Sequence, residues 1–152
     1  MGRARGAAGG TEAGRTLFCD TNVLVRLLTG DPPEQAQAAA EALETAAEGR
    51  FTLVVTDLVL AELAYVLTSA GMAVRTAAEH VTRILDLPGV HVVDEVALRD
   101  AVDLWALGRL DFADAYLAAL ARRVSGGGVL SFDRDLDRVP GVARVDPAEG
   151  PR

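Results

Sequence analysis

The chain has 152 residues, 50% of them hydrophobic and 24% charged, with one cysteine and two histidines. That length suits one domain with its own core, and a single cysteine excludes a disulfide framework or a cysteine-built zinc site, while no apolar run approaches the ~20 residues that span a bilayer. The net charge is −7, from 22 acids against 15 bases that are all arginine; taken whole, it argues against loose, sequence-independent binding to nucleic acid, which relies on a basic surface.

Met1 to Arg15 is rich in glycine, alanine and arginine, without a hydrophobic period and without the apolar core of a secretory signal. It reads as a disordered lead-in to a cytoplasmic domain over residues 16–146, with a disordered tail at 147–152. Thr16 to Asp20 reads as a strand and Thr21 to Thr29 as a short buried helix closed by Gly30. Asp31-Pro32-Pro33 carries start signals for an amphipathic helix to about Gly49, with Asp31 as the expected cap. A strand over Phe51–Val55 precedes helices over Asp57–Ala70 and Val74–Leu87, and a strand over Val90–Val93 follows. Helices over Glu95–Gly108, with Trp105 as a core anchor, and Asp111–Val124 come next. After a Gly126–Gly128 loop, Val129–Phe132 reads as a strand, Asp135–Arg138 as a helical turn and Val142–Val145 as a last strand. Alternation of this kind implies parallel strands joined by right-handed crossovers, hence an α/β fold with helices on both faces of a small sheet. In such sheets functional groups gather at the carboxyl ends of the strands.

Several carboxylates stand out against this frame. Asp20 ends the first strand, where it serves equally as a helix cap or as a site residue. Glu62 lies in Leu58-Val59-Leu60-Ala61-Glu62-Leu63-Ala64-Tyr65-Val66-Leu67, apolar on every side. That pattern predicts a buried helix, in which a lone carboxylate needs an arginine, a proton or a cation. Asp111 and Asp114, three apart, share a helix face; Asp111 also suits a cap, and acids are favoured in a first turn. Asp114 precedes the small residues Ala115, Ala118 and Ala119, a sign of close helix packing. Asp133 follows the strand ending at Phe132, with Asp135 and Asp137 read as solvated neighbours.

These acids are expected to converge on one edge of the sheet, where they would raise one another's pKa values. A divalent cation resolves such crowding, and all-oxygen ligation selects Mg²⁺ or Mn²⁺ over zinc. Neither His80 nor His91 has ligand spacing or a nucleophile nearby, which leaves metal-assisted phosphodiester chemistry as the natural use.

Phe18-Cys19-Asp20-Thr21-Asn22-Val23-Leu24, the Glu62 helix, the segment from Asp111 to Ala119 and Ser131-Phe132-Asp133-Arg134-Asp135-Leu136-Asp137 together resemble the PIN domain, and more narrowly the VapC-type toxin ribonucleases of bacterial toxin–antitoxin pairs. The resemblance runs from about Thr16 to Val145. It implies a Mg²⁺- or Mn²⁺-dependent endoribonuclease whose acidic site is Asp20, Glu62, Asp114 and Asp133, with Asp20 and Asp114 as direct metal ligands and Asp111 as a further acid. It also implies that Ser131 orients a carboxylate or phosphate, that the protein is a homodimer, and that a VapB-like antitoxin occludes the site. Arg26, Arg109 and Arg134 lie close in sequence to these acids and are candidates for holding flanking phosphates of the RNA substrate. Two other readings stand beside this one. One is a catalytically inactive PIN-like binding scaffold. The other is a different Mg²⁺-dependent phosphohydrolase, such as the haloacid dehalogenase type, which carries a second aspartate where this chain has Asn22.

Overall fold

The structure, a computed structural model, describes residues 14–149. Most of the expected lead-in and the last three residues of the expected tail lie outside the described residues. The elements run β1 (Thr16–Phe18), α1 (Thr21–Thr29), α2 (Pro33–Ala47), β2 (Thr52–Val54), α3 (Asp57–Ser69), α4 (Val74–Leu85), β3 (Val90–His91), α5 (Glu95–Ala106), α6 (Phe112–Arg122), β4 (Gly128–Leu130), a 3-10 turn (Arg134–Arg138) and β5 (Ala143–Val145). The order is the one the hydrophobic pattern and the glycine and proline breaks dictate, with the strands shorter than expected.

All pairing is parallel, and the fold class is α/β. The strands divide into two ladders, β1–β2–β3 and β4–β5. Phe18 stands opposite Val54, which stands opposite His91, so the ends of the first three strands are level. No residue of β2 is exposed: it lies between β1 and β3, and α2 packs against β2 and β3. Strands of two or three residues make few ladder bonds, so the helices carry the structure.

The fully buried side chains are drawn from many elements: Leu24, Leu60, Leu63, Val81, Ile84, Leu98 and Leu136. α5 and α6 form the most extensive helix pair, and Ala97, Ala101, Ala115, Ala118 and Ala119 are wholly buried. Methyl-sized side chains let the two backbones approach closely, as the alanine run predicts. Trp105 sits at the end of this pair, edge-on to Phe112 with ring centroids 5.5 Å apart. Arg122 ties the pair to the last segment: Nη1 donates to Asp100 Oδ1 at 2.8 Å, while Nε and Nη2 both donate to the Pro140 carbonyl at 2.9 and 2.6 Å.

α2 departs from expectation at its start. Pro32, not Asp31, takes the cap position, and no side chain caps the helix. The first helical residue is Pro33, which has no N–H to satisfy.

Gly89 marks where α2 meets the sheet. Its φ is +80°, and a Cβ there would run into the Ala46 carbonyl oxygen of α2. Gly71 has a φ of +92° but open space around it. Gly71→Ala should cost about 1–2 kcal/mol, the penalty of a left-handed residue alone. Gly89→Ala should cost clearly more, because backbone has to move. Urea denaturation of the two variants beside the parent checks the difference.

Candidate acidic site

Asp20 caps α1 from the end of β1. The Cys19 N–H continues the ladder to the Val54 carbonyl at 2.8 Å, and Asp20 then turns out of it, its Oδ1 accepting the Asn22 N–H at 3.1 Å. The capping reading of Asp20 therefore holds, and the same bond leaves the carboxylate exposed at the strand end. Burial, and next Asp20, push the Cys19 thiol up to about 11, so it is no nucleophile.

Thr21 is buried at 5% exposure, the one buried polar residue among the described residues. Its hydroxyl donates to Glu62 Oε2 at 2.7 Å, joining α1 to α3. Glu62 itself corrects an expectation: it is exposed, not buried. α3 buries Leu60, Leu63, Ala64 and Leu67 but leaves Leu58 (76%) and Tyr65 (71%) open on the face that carries Glu62. An all-apolar pattern does not tell which side of a helix meets the core. Glu62 has a threonine hydroxyl as its partner rather than an arginine. Asp20, Thr21, Asn22, Arg26 and Glu62 share an open hollow of about 290 Å³.

A second group of acids lies at the start of α6. Asp111 is the cap, its Oδ1 accepting the Asp114 N–H at 2.8 Å. Asp114 is half-buried, and its carboxyl is pushed above the ordinary range by burial first, then by Asp111 and Asp133. Asp133 thus faces Asp114 from a different element. Its own turn is built locally: its N–H donates to Ser131 Oγ at 3.0 Å, and its Oδ1 accepts the Asp135 N–H at 2.9 Å. Arg144 of β5 holds that loop, donating to the Ser131 carbonyl at 2.8 Å and to Asp137 at 2.9 Å. Asp135 and Asp137 are therefore ion-paired, with Arg138 and Arg144, rather than merely solvated.

Thr21 and Arg144 were not among the sequence candidates, and neither was the Asp57–Tyr116–Asp94 grouping. Tyr116 of α6 lies near Asp57 and Asp94, and burial followed by these two acids raises its phenol. The signal was present: each of the five strands among the described residues is followed within three residues by an aspartate, at 20, 57, 94, 133 and 146.

The donor set fits a hard divalent cation: every candidate offers carboxylate oxygen, and Asp114 carries repulsion that a cation would relieve. The acids fall into two groups, Asp20 with Glu62 and Asp111 with Asp114 and Asp133. Among the described residues, no three acids, histidines or cysteines form a group that could hold one ion. The expected convergence is thus electrostatic at Asp114 and stops short of a ligand cage.

A parallel α/β core with aspartates at the strand ends and a helical acid fastened beside them defines a class of acid-edged α/β proteins. Within that class the chain belongs to the PIN domain family, whose model matches residues 17–142. PIN domains are generally nucleases that act on RNA and typically use divalent metal ions. No curated protein matches the chain. No helix among the described residues is long and apolar enough to cross a membrane.

Because the folded state disfavours ionised Asp114, metal-free protein should lose stability as pH rises through that raised value and regain it as pH falls. Asp114→Asn should remove this dependence and stabilise the metal-free protein at neutral pH. Carboxyl-carbon NMR titration should place Asp114 above the other aspartates, and Asp133→Asn should lower it.

Proposed function

We propose that this protein is a cytoplasmic endoribonuclease dependent on Mg²⁺ or Mn²⁺, the toxin of a toxin–antitoxin pair, working as a homodimer that a VapB-like antitoxin silences. The observation that carries the nuclease reading is Asp114: in the first turn of α6, a carboxyl made costly to ionise by burial and by Asp111 and Asp133. The narrower toxin reading rests on the Asp20-Thr21-Asn22 motif and its spacing to Glu62, Asp114 and Asp133.

Asp20 and Asp114 would hold the metal, with Glu62 and Asp133 completing the acidic edge. When bound, the ion supplies an activated water and offsets charge at the phosphorus, so that hydrolysis leaves a 5′-phosphate and a 3′-hydroxyl. Thr21 keeps Glu62 turned toward the hollow that Asp20 also lines. Ser131 and Arg144 fix the turn that presents Asp133. With its pKa raised, Asp114 carries a proton more readily than an ordinary aspartate, and a cation has to displace it, so metal binding should weaken as pH falls.

Cleavage of single-stranded RNA with Mn²⁺ or Mg²⁺ should be abolished by EDTA. Asp20→Asn and Asp114→Asn should each lower the rate more than about 100-fold, and Thr21→Val about 10- to 100-fold, the scale of an outer partner. Added Mn²⁺ should raise the Tm of the parent but little that of either Asn variant. RNA bound without being cut would make the protein a scaffold instead. Growth arrest on expression, relieved by Asp20→Asn, and co-purification with a small partner check the toxin reading.

A further inference from the structure

Arg26 is a cation set among acids. It lines the same hollow as Asp20 and Glu62, yet no carboxylate among the described residues pairs with it. Arg99, Arg122, Arg138 and Arg144 each hold an aspartate or glutamate; what sets Arg26 apart is its place in the lining of the Asp20–Glu62 hollow. Arg26 instead donates its Nε to the neutral Gln35 Oε1 of α2 at 3.1 Å. Asn22 takes up Asp20 through its backbone N–H, and Thr21 takes up Glu62. The guanidinium charge thus stays uncompensated by an ion pair.

The Gln35 bond also fixes orientation. Nε is the inner edge of the fork, so its engagement leaves the two terminal nitrogens available. Arg26 is half-buried on α1, four residues after Asn22 and so on the same helix face. A side chain already ordered by packing and by one hydrogen bond loses little freedom on binding, and a planar fork suits two oxygens of one phosphate. The hollow needs such a group, because two carboxylates repel an approaching phosphodiester.

We propose that Arg26, oriented by Gln35, is a substrate-binding residue that grips an RNA phosphodiester beside the Asp20–Glu62 hollow. The inference rests on the ribonuclease reading above and adds to it the place where the strand is held. The rival role is purely structural, with Arg26 and Gln35 fastening α1 to α2.

The test compares full-length parent, Arg26→Gln, Arg26→Lys and Gln35→Leu. Binding of a fluorescent single-stranded RNA is followed by anisotropy with Ca²⁺ in place of Mg²⁺ over a series of salt concentrations, and cleavage kinetics are followed with Mn²⁺. Arg26→Gln should weaken binding about tenfold, the scale of one charge-assisted contact, with the loss appearing in KM rather than kcat. The slope of log Kd against log salt should fall by about 0.7, the value of one phosphate contact on a single strand. Arg26→Lys should keep the slope but lose about threefold in affinity, because it keeps the charge without the fork. Gln35→Leu should lose a similar amount. If Arg26→Gln fails to fold, the Lys and Leu variants still decide the matter, since unchanged affinity in both overturns the proposal. A lowered Tm with parental affinity and slope leaves only the structural role and overturns the inference alone. A parent that neither binds nor cuts RNA overturns it together with the ribonuclease reading.

Discussion

Aspartate N-capping sets where the negative charge of this protein lies. Where the chain leaves a strand and enters a helix or turn, the cap lies at the strand's carboxyl end, as at Asp20, Asp94 and Asp133, while Asp111 caps α6 after α5. Asp20, Asp94, Asp111 and Asp133 each accept a backbone N–H at the start of the next helix or turn. One local preference, repeated along the chain, thus sets the acids at the starts of helices and turns, and of these four caps Asp94 also pairs with a distant arginine, Arg123, at 3.6 Å. Asp114 is not a cap: its N–H serves the Asp111 cap, and its carboxyl is held above the ordinary range by burial first and by Asp111 and Asp133 next.

The rest of the fold serves to hold these acids still. The ladders are too short to do so alone. Close packing of alanines between α5 and α6 fixes where α6 begins, and Thr21 sets α3 against α1. Arg144 fixes the turn after β4 through a carbonyl and an aspartate. Each candidate acid is therefore presented by an element that is itself anchored by a different kind of contact.

Most of the element order was legible because glycine, proline and capping residues punctuate the chain and because apolar periods are clean. The small residues Ala115, Ala118 and Ala119 foretold the tight helix pair correctly. The strand pairing was less legible, since parallel partners lie far apart in sequence and β4–β5 forms its own ladder. Glu62 misled for a definite reason. Leu58 and Tyr65 make α3 look buried all round, yet they lie on its open face, and hydrophobicity carries no direction. Thr21 escaped notice because a threonine in a first turn is unremarkable until its hydroxyl is seen to reach a residue 41 positions away. Arg144 was hidden likewise, as the partners of a long side chain depend on where the backbone has already gone.

Arg122 shows what the exclusive use of arginine means at one place. Its fork makes three hydrogen bonds at once, one to a carboxylate on α5 and two to the uncharged Pro140 carbonyl. A lysine there would be a single point of charge and would have to choose between the helix and the loop. Two of the three bonds end on a neutral oxygen, so dissolved salt, which weakens exposed ion pairs, should scarcely loosen this fastening. The join between the helical layer and the final strand is in this sense built to ignore the ionic strength around it.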